Sequence, residues 1–503
     1  MVALDGASLT IEDVWAVGEE HARVGIGDAA LERMERSRDR VEIAMRGTKP
    51  VYALNTGVGL LANIRLEDHE IETMQVNLIR SHCCGVGEPL ATPVVRGMML
   101  IRANVLAKGL SGIRGVVAER ICDLLNAGIT PVVPSRGSVG ASGDLAPLAH
   151  MALVLIGEGR AEYEGEVLPT EVCLQRAGIE PLVLLGKEGI SLLNGTQAML
   201  SIGCLRVMEM EELFYAAQTA AALSLEALRG TAAAFDERLH AARPHAGQVL
   251  SASHLRSLLE GSRIPRTHGE GNKIQDAYCL RCVPQVHGAM WETLAFARGV
   301  FEVELNSATD NPLVFEEEIV SGGNFHGAPL ALALDYLAIA LVQLAGISER
   351  RTERLLNPSL NEGLPAFLAS RPGIESGMMM MQVTAAALVA EMRVLASPAS
   401  TGSIPTSGNQ EDFVSMGMTS ALKLSQAAEL ARMVVAIELL AAVRALDLRG
   451  DTSTAALEAA RAGFRARVPA WQDDCVLSVW MEEASSLIAE GGWREAAVAE
   501  AVR

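Results

Sequence analysis

MLSIGCLRVMEMEELFYAAQTAAALSLEAL, residues 199–228, runs without a proline and stops just short of Gly230. Ala, Leu, Met and Glu dominate it, and all are strong helix formers. The stretch predicts one long helix ended at Gly230. The same texture recurs over about 283–305, 328–356, 376–397, 411–447 and 453–467. Some of these helices are apolar on most faces, as in Leu330-Ala331-Leu332-Ala333-Leu334. Such helices belong inside a bundle or at a subunit interface. Upstream the pattern changes to Gly-rich, shorter segments. The expected fold is mainly α, a long antiparallel helix bundle over residues 201–503 with a smaller mixed N-terminal domain over 1–200. No repeat, low-complexity tract or linker marks independent modules.

Composition narrows the classes of function. In 503 residues, 42 Lys and Arg face 61 Asp and Glu, a formal charge of −19. An acidic chain repels phosphate backbones and anionic lipid, so neither nucleic acid nor membrane is an expected partner. Asp335, Glu438 and Arg444 interrupt the longest apolar stretches, so no transmembrane helix is expected. Eight irregularly spaced cysteines without a signal peptide predict free thiols and a cytoplasmic setting. Cys279-Leu280-Arg281-Cys282 lacks a second CxxC or a His pair, and no metal site is expected. Asn55-Thr56-Gly57 lacks the Lys-Ser/Thr of a phosphate loop. The run Met378-Met379-Met380-Met381 reads as adaptable packing.

Chemistry concentrates in Gly137-Ser138-Val139-Gly140-Ala141-Ser142-Gly143-Asp144-Leu145-Ala146-Pro147-Leu148-Ala149-His150. Five further motifs accompany it. They are Leu193-Asn194-Gly195-Thr196-Gln197, Gln275-Asp276-Ala277-Tyr278-Cys279-Leu280-Arg281-Cys282-Val283-Pro284-Gln285, Glu304 to Pro312, Gly323-Asn324-Phe325-His326-Gly327, and Pro405 to Asp412. Together, over nearly the whole chain, they resemble the MIO-dependent ammonia-lyases and aminomutases of aromatic amino acids and histidine. The resemblance implies that Ala141-Ser142-Gly143 cyclises and loses water to form 4-methylidene-imidazol-5-one (MIO), with no exogenous cofactor. It also implies a small-molecule amino acid substrate and a homotetramer. The helices after residue 200 then form the shared core, and each active site combines residues of more than one subunit.

The residue types suit this chemistry. The nitrogen of residue 143 must reach the carbonyl of residue 141, a bend that glycine tolerates cheaply. Ser142 supplies the hydroxyl that leaves. The run from Leu145 to Ile156, with Pro147 in its first turn, predicts a helix whose positive end faces the triplet. The reaction must remove an unactivated β-proton and expel ammonia, so it needs an electrophile and a base. Tyr52 is the candidate base, although a free Tyr near pKa ~10 is only about one part in a thousand phenolate at neutral pH. Gly57 and Gly59 give its loop the freedom to close. Arg281, with its planar fork, suits the substrate carboxylate. The three-residue steps Gln275, Tyr278, Arg281 predict one helical face. By resemblance, Asn194, Gln275, Tyr278 and Asn311 orient substrate and adduct, and Phe325 lines the pocket.

Two positions address the substrate. Ser81-His82 resembles the family members that act on histidine, in which this His contacts the imidazole. Gln410-Glu411-Asp412 does too, whereas members with carbocyclic substrates usually place an amide at the Glu position. A carboxylate pairs with an imidazole N–H, while a phenyl ring leaves it desolvated and unpaired. Glu411 is therefore both an imidazole reader and a candidate catalytic residue beside Tyr52. Phe413 stands where those members usually have His, Ala328 where they have Glu, and Ala53 and Val58 where they have Gly and Phe. Histidine elimination to urocanate is the leading expectation. A tyrosine or phenylalanine lyase or 2,3-aminomutase is the second, and a non-catalytic helical scaffold the third.

Overall fold

The computed structural model describes residues 1–47, 49–264 and 274–496. It is mainly helical, as expected, with short strands confined to small sheets. Contacts along the chain define two compact units. One comprises Met1–Met208, Arg298–Asp335 and Pro398–Leu422, and the other Glu209–Ala297, Tyr336–Ser397 and Lys423–Arg503.

The first unit is built around the helix Thr92–Ala107, which is buried along almost its whole length. Ile11–Gly18 and Gly115–Ala127 pack on it. Ile11–Gly18 starts with a capping box, Thr10 accepting from Asp13 N while the Asp13 carboxylate accepts from Thr10 N. Gly115–Ala127 ends at Gly128 in the left-handed conformation. Ile71–His82 packs on Leu145–Leu155 and on the short helix Glu188–Leu193. The largest sheet has three strands, Thr130–Pro131, Arg160–Tyr163 and Glu166–Pro169, in antiparallel order.

The second unit has helices and no strand among its described residues, and it holds a buried ion pair. Arg351 donates to both carboxylate oxygens of Glu438 at 2.5 and 2.7 Å, and Ser224 and Ser348 donate to the same oxygens at 2.8 and 2.7 Å. A buried charge with every lone pair addressed in this way is tolerated where an unpaired one is not.

Most expected helices appear within a few residues of their forecast bounds. Residues 199–228 correspond to Gln197–Ala227, 283–305 to Val283–Leu305 and 328–356 to Ala328–Leu356. Residues 376–397 and 453–467 correspond to Met379–Leu395 and Ala455–Arg467. The helix expected over 411–447 instead begins at Gly417 and ends at Arg449. Before it, Ser407, Gly408 and Asn409 all take positive φ, and Met416 does as well. No helix passes through such residues. Among the described residues, Ala328–Leu356 is the one helix long and apolar enough to cross a membrane, despite Asp335. Its most apolar window is 61% buried, and Asp335 accepts from Ser400 N at 2.8 Å, as in a core helix.

Candidate active site

The first unit holds a cavity of about 690 Å³. Tyr52, His82, Ala141, Ser142, Asn194, Asn311, Phe325 and Glu411 all line it, although they come from seven separated places in the sequence. Gly143 lies directly behind, buried.

The triplet loop is bent and tightly backed. Gly143 has φ +73°, and a Cβ there would sit 2.0 Å from the Gly195 carbonyl oxygen. Only glycine fits. Asp144 N donates to that same carbonyl at 2.6 Å. The fully buried Asp144 side chain then accepts from Ala198 N and Met199 N at 3.0 and 2.9 Å, and from Ser138 Oγ at 2.8 Å. It thereby caps the first turn of the helix Gln197–Ala227 while ending the triplet. Burial pushes its carboxyl up to about 6, against the lowering effect of the hydrogen bonds from Met199, Ser138 and Ala198. The helix Leu145–Leu155 starts immediately afterwards, as forecast, with its positive end at the loop. A glycine-only cradle behind Gly143, with the Ser142 side chain on the cavity wall, fits a self-cyclised Ala-Ser-Gly group.

Glu411 approaches from the opposite wall. Ser142 Oγ donates to its Oε1 at 2.8 Å, and Thr406 Oγ1 and Ser407 Oγ donate to Oε2 at 2.7 and 2.9 Å. Thr406 and Glu411 also pair through their backbones, closing a tight loop. Burial works against the charge of Glu411. The three hydroxyls and the nearby His82 outweigh it and hold the carboxyl below its ordinary value. His82 sits at the end of the helix Ile71–His82, with Nδ1 2.8 Å from the Leu78 carbonyl. A carbonyl only accepts, so Nδ1 carries a proton, and in the neutral ring Nε2 is an acceptor.

Tyr52 OH accepts a hydrogen bond from Gly59 N at 3.1 Å, within its own loop. Ala53 takes φ +56° at the position where the resembling proteins carry Gly. The turn Gly59–Leu61 rests against Ser407–Asn409 of the Glu411 loop. The two asparagines are set from behind. Arg102, fully buried, donates to Asn194 O at 2.9 and 3.0 Å, to Gln197 Oε1 at 3.1 Å, and closely to Ser191 O. Asn194 Nδ2 donates to Asn311 O at 3.2 Å, and beside it the buried Lys187 pairs with Asp310 at 3.4 Å.

Gln275, Tyr278 and Arg281 belong to the second unit and are not among the residues lining this cavity. Their expected common helical face is also incorrect. The helix is only Tyr278–Arg281, Ala277 before it is extended, and Gln275 precedes its start. Tyr278 is 70% exposed, and the Arg281 guanidinium lies 4.4 Å from its ring centroid.

Other lining residues were given no role from the sequence, although Val58 and Phe413 were noted there as departures. Val58, Leu60 and Leu61 come from the Tyr52 loop, and Ser407, Gln410 and Phe413 flank Glu411. Thr406 and Asp144 stood inside quoted motifs, and their roles follow from what they touch. Arg102 and Lys187 carry no motif, and a buried charge beneath a site leaves no local signal in sequence.

Comparisons with known proteins agree with this geometry. Residues 9–466 match the family model described as aromatic amino acid lyase. Histidine ammonia-lyase of Koribacter versatilis (strain Ellin345) is 52% identical, covering 97% of this chain and 98% of that protein. The histidine ammonia-lyase of Myxococcus xanthus (strain DK1622) is 50% identical, covering 97% of each. Among solved structures, histidine ammonia-lyase from Trypanosoma cruzi superposes with TM-score 0.92 at 40% identity, covering 99% of this chain and 95% of that one. Tyrosine aminomutase from Streptomyces globisporus superposes with TM-score 0.94 at 39% identity, covering 99% and 98%. The chain belongs to the aromatic amino acid lyase family.

Proposed function

We propose that this protein eliminates ammonia from L-histidine to give trans-urocanate. One observation carries the substrate: the Glu411 carboxylate, held by Thr406 and Ser407, faces Ser142 in the cavity that His82 also lines. An imidazole offers one N–H donor and one ring-nitrogen acceptor. Glu411 accepts the N–H, and His82 addresses the ring from the helix end. The curated relatives at about half identity carry the same activity in their names.

MIO, formed from Ala141-Ser142-Gly143, supplies an electrophile for the substrate amino group. The remaining work falls to side chains. Tyr52 takes the β-proton, and the hydrogen bond that its oxygen accepts from the Gly59 amide holds it in place. Glu411, whose carboxylate lies 2.8 Å from Ser142 Oγ, assists that proton transfer. Asn194 and Asn311 orient the substrate, and Phe325 forms an apolar wall. The Tyr52 loop closes the cavity and excludes water.

Arg281, with Gln275 and Tyr278, completes the site from a neighbouring copy and binds the substrate carboxylate with two parallel hydrogen bonds. Tyr278, Phe296, Tyr336, Met380 and Val394 are exposed apolar side chains of the second unit. They suit burial in a homotetramer. The same reading puts the enzyme in the cytoplasm, and its eight cysteines, all free thiols, suit a reducing compartment.

The likeness to a tyrosine aminomutase keeps a second reading, a lyase or mutase of tyrosine or phenylalanine. Product analysis with histidine, tyrosine and phenylalanine separates the two. Urocanate from histidine is the expected outcome, and turnover of tyrosine without urocanate would reverse the assignment. Intact mass tests for a scaffold that has lost catalysis. The wild-type chain is expected to weigh two waters less than its sequence, and Ser142→Ala to lose both that deficit and the activity. A full-mass wild type would refute the self-formed electrophile.

A further inference from the structure

Three segments meet around the backbone just ahead of the triplet. Gly140 O accepts from Ser415 Oγ at 3.0 Å and from Gly327 N at 3.2 Å, and Met416 N donates to Val139 O at 2.8 Å. The junction has no spare room. A Cβ on Gly140 would lie 2.2 Å from Ser415 Oγ, and one on Gly417 would lie 2.5 Å from Met199 Sδ. The segment carrying Glu411 is thus anchored firmly at its far end, after Val414.

A second tie lies closer to Glu411. The His326 ring lies 3.1 Å, through Nε2, from the Phe413 carbonyl, two residues after Glu411. His326 Nδ1 accepts from Ala328 N at 3.3 Å. These two contacts fix the proton. A backbone N–H needs an acceptor at Nδ1 and a carbonyl needs a donor at Nε2, so the two contacts select the Nε2–H tautomer. The Phe413 ring lies nearly parallel to the imidazole, at 13° and 6.3 Å between centroids. The contact uses the carbonyl of residue 413, so a Phe in place of the usual His leaves it intact.

We propose that His326 is a positioning residue, a pin that ties the Phe325 wall to the Glu411 loop and so fixes the carboxylate over the triplet. It acts through Glu411 and does not itself touch the reacting atoms. The loop needs such a pin, because Ser407 holds a positive φ that its side chain disfavours. Without the pin, the loop relaxes and Glu411 loses its bearing on the imidazole. The functional half of this inference rests on the histidine reading above. The structural half does not.

The test compares His326→Leu, which removes both contacts, with His326→Gln, whose amide offers a donor and an acceptor. His326→Leu is expected to lower kcat/KM for histidine about tenfold, and His326→Gln to regain most of it. In a Glu411→Gln background the Leu substitution is expected to add less than about twofold, because the two residues act as one unit. A full loss in both backgrounds would make His326 merely structural and overturn the proposal. Hydrogen exchange measured by mass spectrometry decides the structural half without any substrate. Exchange across residues 406–417 is expected to quicken in His326→Leu and not in His326→Gln. Unchanged exchange there would overturn the pin even if histidine proves to be the substrate. Absence of urocanate from the wild type would instead count against the histidine reading alone.

Discussion

Thr406 and Ser407 both donate to one carboxylate oxygen of Glu411, so its direction is set before any substrate arrives. The Glu411→Gln variant keeps the shape but loses the charge and one acceptor. We expect kcat/KM for histidine to fall about a hundredfold, in line with the roughly 3 kcal/mol of a charged hydrogen bond. Any residual activity on phenylalanine should hold or rise, and steady-state kinetics on both substrates checks this. Asp144 makes a different prediction. Its carboxyl is raised to about 6 in the folded chain, so folding favours the protonated form. Stability from this group is full below about pH 4 and is lost as pH rises through about 6. Moving a pKa from about 4 to about 6 is worth about 3 kcal/mol. Denaturation of Asp144→Asn between pH 4 and 8 should lack that slope. At this scale the sequence picked out residues of the cavity wherever a motif surrounded them, as with Tyr52, Ser142 and Glu411. It was silent on Arg102 and Lys187, whose role depends on what lies above them.

Among the elements, the helices were the most legible, because long proline-free runs rich in Ala, Leu and Met declare a helix by composition and length. The error at residues 411–416 is instructive. Apolar residues Phe413, Val414 and Met416 continue the helical composition, yet left-handed residues at 407, 408, 409 and 416 hold the segment in a loop. Composition cannot register a conformation imposed by tertiary contacts such as Met416 N to Val139 O. The same limit applies at Tyr278–Arg281. Three-residue spacing matched a helix that in fact starts three residues after Gln275.

For the whole molecule, two predictions concern assembly and core. If Arg281 serves a neighbour's cavity, Ser142→Ala and Arg281→Met chains, each inactive alone, should regain part of the activity when unfolded and refolded together. Sites built wholly within one copy would regain none. In the second unit, Glu438→Gln strips the charge that Arg351 faces at full burial. The loss should reach about 3–5 kcal/mol by denaturant titration, since an uncompensated buried guanidinium remains. The interleaving of the two units along the chain is a property of contacts between distant residues. Linear composition could announce a helical molecule but not which stretches would share a core.

The double duty of Asp144 gives each molecule a memory. The carboxylate that ends the triplet also caps the helix Gln197–Ala227, so the loop takes its bent shape only where that helix has begun. In our reading, two waters leave at that moment, and unfolding does not put them back. A chain that is later denatured or aggregated still carries the deficit. Mass alone would then sort a failed preparation into chains that once reached the native state and chains that never did.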